Sequence, residues 1–368
     1  MKKLFTILLF ICLFTFPVSA DSLYKDSLEA SGFNEVYNNT PKDITRFLEE
    51  NDIDAFSADF VTDLNTENLF SVIISFFKQG ASGLGGTLAL NIATLLIWGV
   101  YRCFSQKDAA NDGINIAFTT VLSLSLAVPI IKLITATASA VKAGGVFMLS
   151  FLPVFFGVTA ASGAVQTAAS ANLTLLFACE ITVQIIAFCV VPISCAELAL
   201  SISGIFSDMS PAFKLSATLR RTSTYLLTLT FTVFLGLLSV QTAITSAADT
   251  VSLKTVKFVV GSFVPVAGTA LSETVSTLGS SIKILQNGIG VYGIVVVLLT
   301  VLPTVATLFL WRIIIFASKI TAEMLDLPKA VKLSSAIDGT LSMLLGVILF
   351  VGALFIISLA ILLKVGSV

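Results

Sequence analysis

Apolar residues in this chain come in long blocks rather than in alternation or in short amphipathic stripes. Six strong blocks lie at about 84–104, 113–137, 172–205, 222–247, 288–316 and 340–363. Each holds ~20 or more mostly apolar residues, long enough for a helix to cross a hydrocarbon core ~30 Å thick. Two weaker blocks, about 146–162 and 258–275, are shorter, and each carries a central proline with glycine or serine nearby. Proline removes a helix hydrogen bond, and lipid tolerates the freed carbonyl only where protein or water satisfies it again. These two segments are expected either to span or to re-enter as hairpins. Ahead of the first block, Leu69, Val72, Ile73, Phe76 and Phe77 recur at helical spacing and end on Lys78. That spacing predicts an interfacial helix and hinge over 69–83, or else the start of the first span.

The two weaker blocks share a motif. Ser150-Phe151-Leu152-Pro153-Val154 matches Ser262-Phe263-Val264-Pro265-Val266, and a second proline, Pro192 or Pro303, follows 39 or 38 residues after the first. A duplicated block in an apolar chain predicts two like units, 138–250 and 251–368, placed after a first pair of spans at 84–137. At the other end, Lys2 and Lys3, the apolar run Leu4 to Phe16 and Val18-Ser19-Ala20 form a signal peptide over 1–20, with residues 21 onward starting outside the cytoplasm. An uncleaved first membrane helix is the alternative. Cys12 lies within the apolar run, away from any cleavage junction, so a lipoprotein is not expected.

Composition agrees with the pattern. Of 368 residues, 56% are hydrophobic and 12% charged, and the mean hydropathy is +0.99, whereas soluble domains carry about a quarter charged residues. The fold class expected is all-α: a polytopic helical membrane protein with an internal duplication and six to eight membrane segments, two of them proline-broken and either spanning or re-entrant.

Charge changes the picture in two ways. Residues 21–68 hold twelve acids against three bases, so the near-zero net charge hides an acidic extracytoplasmic head on a slightly basic body. Within the head, Thr40, Pro41 and Asp43 read as N-cap, first-turn proline and dipole-matching acid of a helix through about Glu50. In the body, charge bears on topology. If both proline segments cross fully, Lys214, Arg220 and Arg221 fall outside, giving eight bases inside and seven outside. If both re-enter from the outer face, the cluster joins Arg102, Lys107, Arg312, Lys319, Lys329 and Lys332 inside, nine against six. The count favours re-entrance by a small margin.

Chemistry is limited by what is missing. The chain has no histidine, which excludes Ser-His-Asp and Cys-His catalysis and histidine-liganded metals. Gly80 to Gly86 lacks the Gly-Lys-Ser/Thr ending of a phosphate loop and reads as a hinge or close-packing surface. Asp249 and Asp338 sit at segment ends, out of context for an aspartyl intramembrane protease. An enzyme is not expected, nor a cofactor, a metal or a nucleic-acid partner. Cys103, Cys179, Cys189 and Cys195 read as buried apolar filler. The small-residue runs at 160–164 and 168–171 suit close helix packing.

Intramembrane carboxylates are costly and tend to be paired, protonated or water-facing. Glu180 shares a helix face with Gln184 and, with Gln166 and Asn172 nearby, is either a polar-path residue or a structural hydrogen bonder. For Glu197 and Glu273 the structural reading is favoured. The candidate membrane-path or gating residues are Pro153, Glu180, Pro265 and Glu273.

Taken together, the acidic head, the Ser-Phe-Leu-Pro-Val segment leading to Ala160-Ala161-Ser162-Gly163, and above all Lys257 to Val266 with Leu271-Ser272-Glu273 resemble the stage III sporulation protein AE family. The resemblance runs from about 60 to 363 and departs from the family pattern at Glu273, where an aspartate is expected. It implies an integral component of the channel or secretion-like complex joining mother cell and forespore, seated in the mother-cell membrane around the engulfed forespore and supporting forespore development after engulfment. It also implies partners: the other stage III sporulation A proteins, including a cytoplasmic ATPase and ring-forming proteins that meet a forespore membrane partner, with lipid around them. The competing expectation is an independent transporter with Glu180 and the two broken segments at a midplane site.

Overall fold

The computed structural model describes residues 20–50, 53–57, 66–81, 83–104, 110–161, 165–207, 210–263 and 268–366. The signal-peptide region 1–19, with Cys12, and the second repeat proline Pro265 lie outside the described residues. Three short helices form the head: α1 (Ala20–Ala30), α2 (Phe33–Asn38) and α3 (Lys42–Glu50). The body follows as α4 (Thr66–Ala81), α5 (Leu84–Phe104), α6 (Ala110–Ala161), α7 (Val165–Ile185), a π-helical turn at Ile186–Val190, α8 (Val191–Ser207), α9 (Ser210–Phe263), α10 (Gly268–Met324) and α11 (Pro328–Gly366). No strand occurs among the described residues. Among the described residues, five helical stretches, Leu84–Phe104, Gly113–Ala161, Thr174–Phe206, Ile284–Met324 and Pro328–Ala360, are long and apolar enough to cross a membrane. The protein is an all-α polytopic membrane protein.

Side-chain contacts fix how these helices run. Ser125 donates to Asn91 at 2.7 Å and Trp98 Nε1 to Asn115 at 2.9 Å, so α5 and α6 are antiparallel. Phe151 packs on Gly293 and Gln286 donates to Thr159 at 3.3 Å, so α6 and α10 are antiparallel too. Val301 on Gly352 and Leu363 on Gly290 set α10 against α11 in the same sense. In contrast, Arg220 over Gly339 and the Phe231–Phe350 ring pair show α9 and α11 running in parallel. The result is an up-and-down bundle whose turns alternate between two ends.

One expectation about proline is corrected. The blocks 113–137 and 146–162 are one helix, α6, which continues through Pro129 and Pro153. What holds it straight enough to continue is packing. Phe147, Phe151 and Phe155 form a fully buried row, with centroids 5.4 and 5.6 Å apart, that seats against α10. Glycine at 293 is required there, because a Cβ would collide with the Phe151 ring. Pro192 is handled differently. It follows the π-helical turn, in which the Val191 N–H reaches Ile186 O five residues back; the widened turn absorbs the hydrogen bond that proline cannot make.

The predicted span 222–247 lies inside α9, and most of its side chains beyond Leu237 are outside the described residues. Its apolar residues are interleaved with threonines, and Thr224, Thr228, Thr230 and Thr232 each donate to the carbonyl four residues back. The hydroxyls are thereby satisfied within the helix.

The head also differs in one detail. Helix α3 starts where expected, but Thr40 does not cap it: its hydroxyl donates to Val36 O at 3.0 Å and pairs with Tyr292 Oη at 2.8 Å. The apolar side of the head explains this choice. Phe33 is buried edge-on against Tyr292 at 4.9 Å, and Gly32 lies against Val154. The head is thus docked on α6 and α10 beside the first Ser-Phe-Leu-Pro-Val motif.

Candidate functional site

Glu197 is the most buried charged group among the described residues, with no exposed surface. It projects from α8, seven residues past the π-helical turn, into the junction with α9 and α11. Arg220 of α9 meets it with two donors, Nε at 2.7 Å and Nη2, both on Oε1. Thr340 of α11 lies 3.4 Å from the same oxygen. Nη2 of Arg220 also donates to Ala336 O at 3.2 Å, tying α9 to α11. The favoured structural reading of Glu197 is what the geometry shows: one carboxylate joins three helices.

Hydrogen-bonding capacity is left over at this centre. Glu197 Oε2 and the buried hydroxyls of Ser201, Ser223 and Ser334 have no partner among the described residues. A second ion pair lies close by in sequence. Arg312 of α10 donates from Nε to Asp338 Oδ1 at 2.9 Å, while its Nη2 is 3.5 Å from Oδ2. Arg220 and Asp338 both line a groove of about 600 Å³ between α9 and α11, with Ser335, Gly339 and Ser342 beside them. Asp338, which the sequence placed at a segment end, is therefore part of a polar centre.

The sequence-derived candidates are spread out. Pro153 is in α6 beside the head, and Glu180 is in α7. Glu180 is half-buried and accepts from Gln184 Nε2 at 2.6 Å, as their shared face implies. Exposed Phe177 and Ile181 flank it, so this pair lies on the outer side of α7, away from the Glu197 centre. Glu273 falls in α10, with its side chain outside the described residues, as are those of Gln166 and Asn172. Among the described cysteines only Cys179 is buried; Cys103, Cys189 and Cys195 are exposed, which corrects their reading as buried filler. The signal for Glu197 was present in the sequence as an acid inside an apolar run. Its partner Arg220 was visible too, but only as a topology marker.

Within the head, Asp54 and Lys25 form an ion pair at 2.9 Å. Partial burial pushes the Asp54 carboxyl up. The hydrogen bond from Lys25, the Phe56 N–H and the Lys25 charge outweigh it, and the carboxyl ends below its ordinary range.

A family model described as Stage III sporulation protein AE matches residues 43–366 of this chain. The chain is 24% identical over 300 residues to the stage III sporulation protein AE of Bacillus subtilis (strain 168), covering 81% of this chain and 75% of that protein. No solved structure matches.

Proposed function

The chain belongs to the stage III sporulation protein AE family, and from that premise we propose that it is an integral membrane core subunit of a channel or secretion-like complex between mother cell and forespore. In this reading it sits in the mother-cell membrane around the engulfed forespore and supports forespore development. Its partners are the other stage III sporulation A proteins, among them a cytoplasmic ATPase and ring-forming proteins that reach a forespore membrane partner. The observation that carries the proposal is the family match over 43–366, which takes in every helix of the body.

The physical form of the bundle supports an assembly role. At ~1.5 Å per residue, α6, α9 and α10 are ~78, ~81 and ~86 Å long, against a hydrocarbon core of ~30 Å. Helices of that length carry the bundle beyond the bilayer, where partners can meet it. Pro153, Glu180, Pro265 and Glu273 are the positions proposed for a membrane path or its gating.

Affinity purification of the full chain from sporulating cells tests the assignment. Recovery of the other stage III sporulation A proteins is expected, and their absence counts against it. A defect confined to sporulation after engulfment is expected on deletion; an uptake or efflux phenotype in vegetative cells would instead mark an independent transporter. Glu180→Gln tests the path: full spore yield removes any carboxylate-dependent conduit at that position.

A further inference from the structure

The groove between α9 and α11 has a polarity gradient along its length. Arg220, Asp338, Ser335 and Thr224 lie at one end, while Leu227, Phe231, Met343 and Phe350 line the other. Because the two helices run in parallel, from Arg220 and Gly339 to Phe231 and Phe350, this gradient follows the bundle axis. The polar end is the one that also carries Lys332, placed over the Phe213 ring at 5.9 Å, and so belongs to the basic end of the bundle. Its floor is apolar and buried at Leu227 and Met343, and its open side exposes Ser335, Ser342 and Gly346.

From this geometry we propose that the groove is a binding site for one phospholipid with a zwitterionic, primary-ammonium headgroup, one of its two acyl chains lying along Leu227, Phe231, Met343 and Phe350. Two features select the headgroup. Both Glu197 contacts use Nε and Nη2 of Arg220, while Nη1 lies over Gly339 at the groove wall. That guanidinium edge suits a phosphate oxygen. Asp338 is held well through Oδ1 but only at 3.5 Å through Oδ2, leaving an acceptor for an N–H donor beside it. One cation and one anion at the same mouth match a headgroup carrying phosphate and ammonium, and match a purely anionic one poorly. A volume of about 600 Å³ falls within the range of sites that bury small amphiphilic ligands.

A second protein helix is the other occupant that small residues invite. Here Gly339 is already covered by the Arg220 guanidinium, so a neighbouring backbone cannot approach along Ser335, Gly339, Ser342 and Gly346 as a row. Gly346 alone has open space at its Cβ position.

The test uses the full-length protein in detergent, with added lipids followed by native mass spectrometry and thermal melting. Phosphatidylethanolamine is expected to be retained about tenfold over phosphatidylglycerol and phosphatidylcholine, since the last lacks an N–H for Asp338. Glycerophosphoethanolamine, which lacks acyl chains, is expected not to shift melting. Gly346→Phe fills the groove while leaving the Glu197–Arg220 pair in place, and abolishes retention. Asp338→Asn removes the preference for ethanolamine over choline. Equal retention of all three lipids, retention unchanged in Gly346→Phe, or efficient cross-linking of Ser342→Cys to another protein helix would overturn the proposal.

Discussion

Glu197 shows how a single side chain can decide the stability of a bundle. Its carboxylate is fully buried and spends one oxygen on Arg220. Removing one member of such a pair leaves an uncompensated charge among apolar neighbours, which costs ~3 kcal/mol or more, whereas removing both members costs far less. Arg220→Leu, which strands the fully buried Glu197 carboxylate, is therefore expected to lower the thermal unfolding midpoint in detergent strongly. The double variant Glu197→Leu with Arg220→Leu should recover most of that loss. If the single and double variants melt together, the pair is not the constraint joining α8, α9 and α11. Sequence reading recognised the cost of Glu197 but could not supply its partner. Arg220 lies 23 residues away on another helix, and nothing in local spacing reveals a contact that only the α8–α9 turn creates.

At the scale of elements, prolines were the hardest signal to read. Each of Pro153 and Pro303 sits inside a continuous helix, and among the described prolines only Pro192 coincides with an altered turn. A break rule works on local hydrogen bonds, whereas the outcome at Pro153 is set by the Phe147, Phe151 and Phe155 row packed on α10, contacts invisible until α10 is placed. Helix existence, the head helix ending at Glu50 and the Glu180–Gln184 face were legible because they depend on periodicity alone. The duplication we propose, 138–250 and 251–368, cuts through α6 and α9, so its units share helices rather than stand apart. Pro153→Ala restores a backbone N–H where proline costs up to ~3 kcal/mol in a helix interior. Thermal stability should stay level or rise; reduced spore yield at undiminished stability would then identify Pro153 as a gating hinge, and normal yield would exclude that role. Head docking is testable at the same scale. Thr40→Val removes the hydroxyl pair with Tyr292, a loss of ~1 kcal/mol, and should speed hydrogen exchange across residues 20–50 while the body exchanges as before. Asp54 adds a pH dependence. Its carboxyl is depressed in the folded head, so its contribution is present above the ordinary carboxylate pKa and is lost as pH falls through the lower folded value. Both partners are more than a third exposed, so the effect is under ~1 kcal/mol, and Asp54→Asn should abolish the acid-side change in head exchange.

For the whole molecule, the bundle's two ends carry different chemistry, and this bears on the topology that charge counting left close. Arg102 is bonded to Asp326 O in the α10–α11 turn, Arg312 to Asp338, and Arg220 to Glu197 and Ala336 O. These contacts gather the start of α9 with the ends of α5 and α10. The head is docked at Tyr292, about midway along α10, and at Val154, near the far end of α6. Lys214, Arg220 and Arg221 therefore share an end with Arg102, Arg312, Lys319, Lys329 and Lys332, the grouping that re-entrant proline segments were invoked to produce. The structure reaches it by another route. The first proline segment adds length to α6 instead of adding a crossing. With positive charge held on the cytoplasmic side, Thr218→Cys, exposed on α9, should react with a membrane-impermeant maleimide only after the cells are opened, together with Lys329→Cys. Asn34→Cys in the head should react in intact cells. Labelling of Thr218→Cys and Asn34→Cys from the same side would contradict the helix directions, because α9 starts beside Asp338 and the head sits more than thirty residues up α10 from the Asp326 turn. That separation is ~50 Å of helix, far more than a side chain or a linker-bound reagent can bridge.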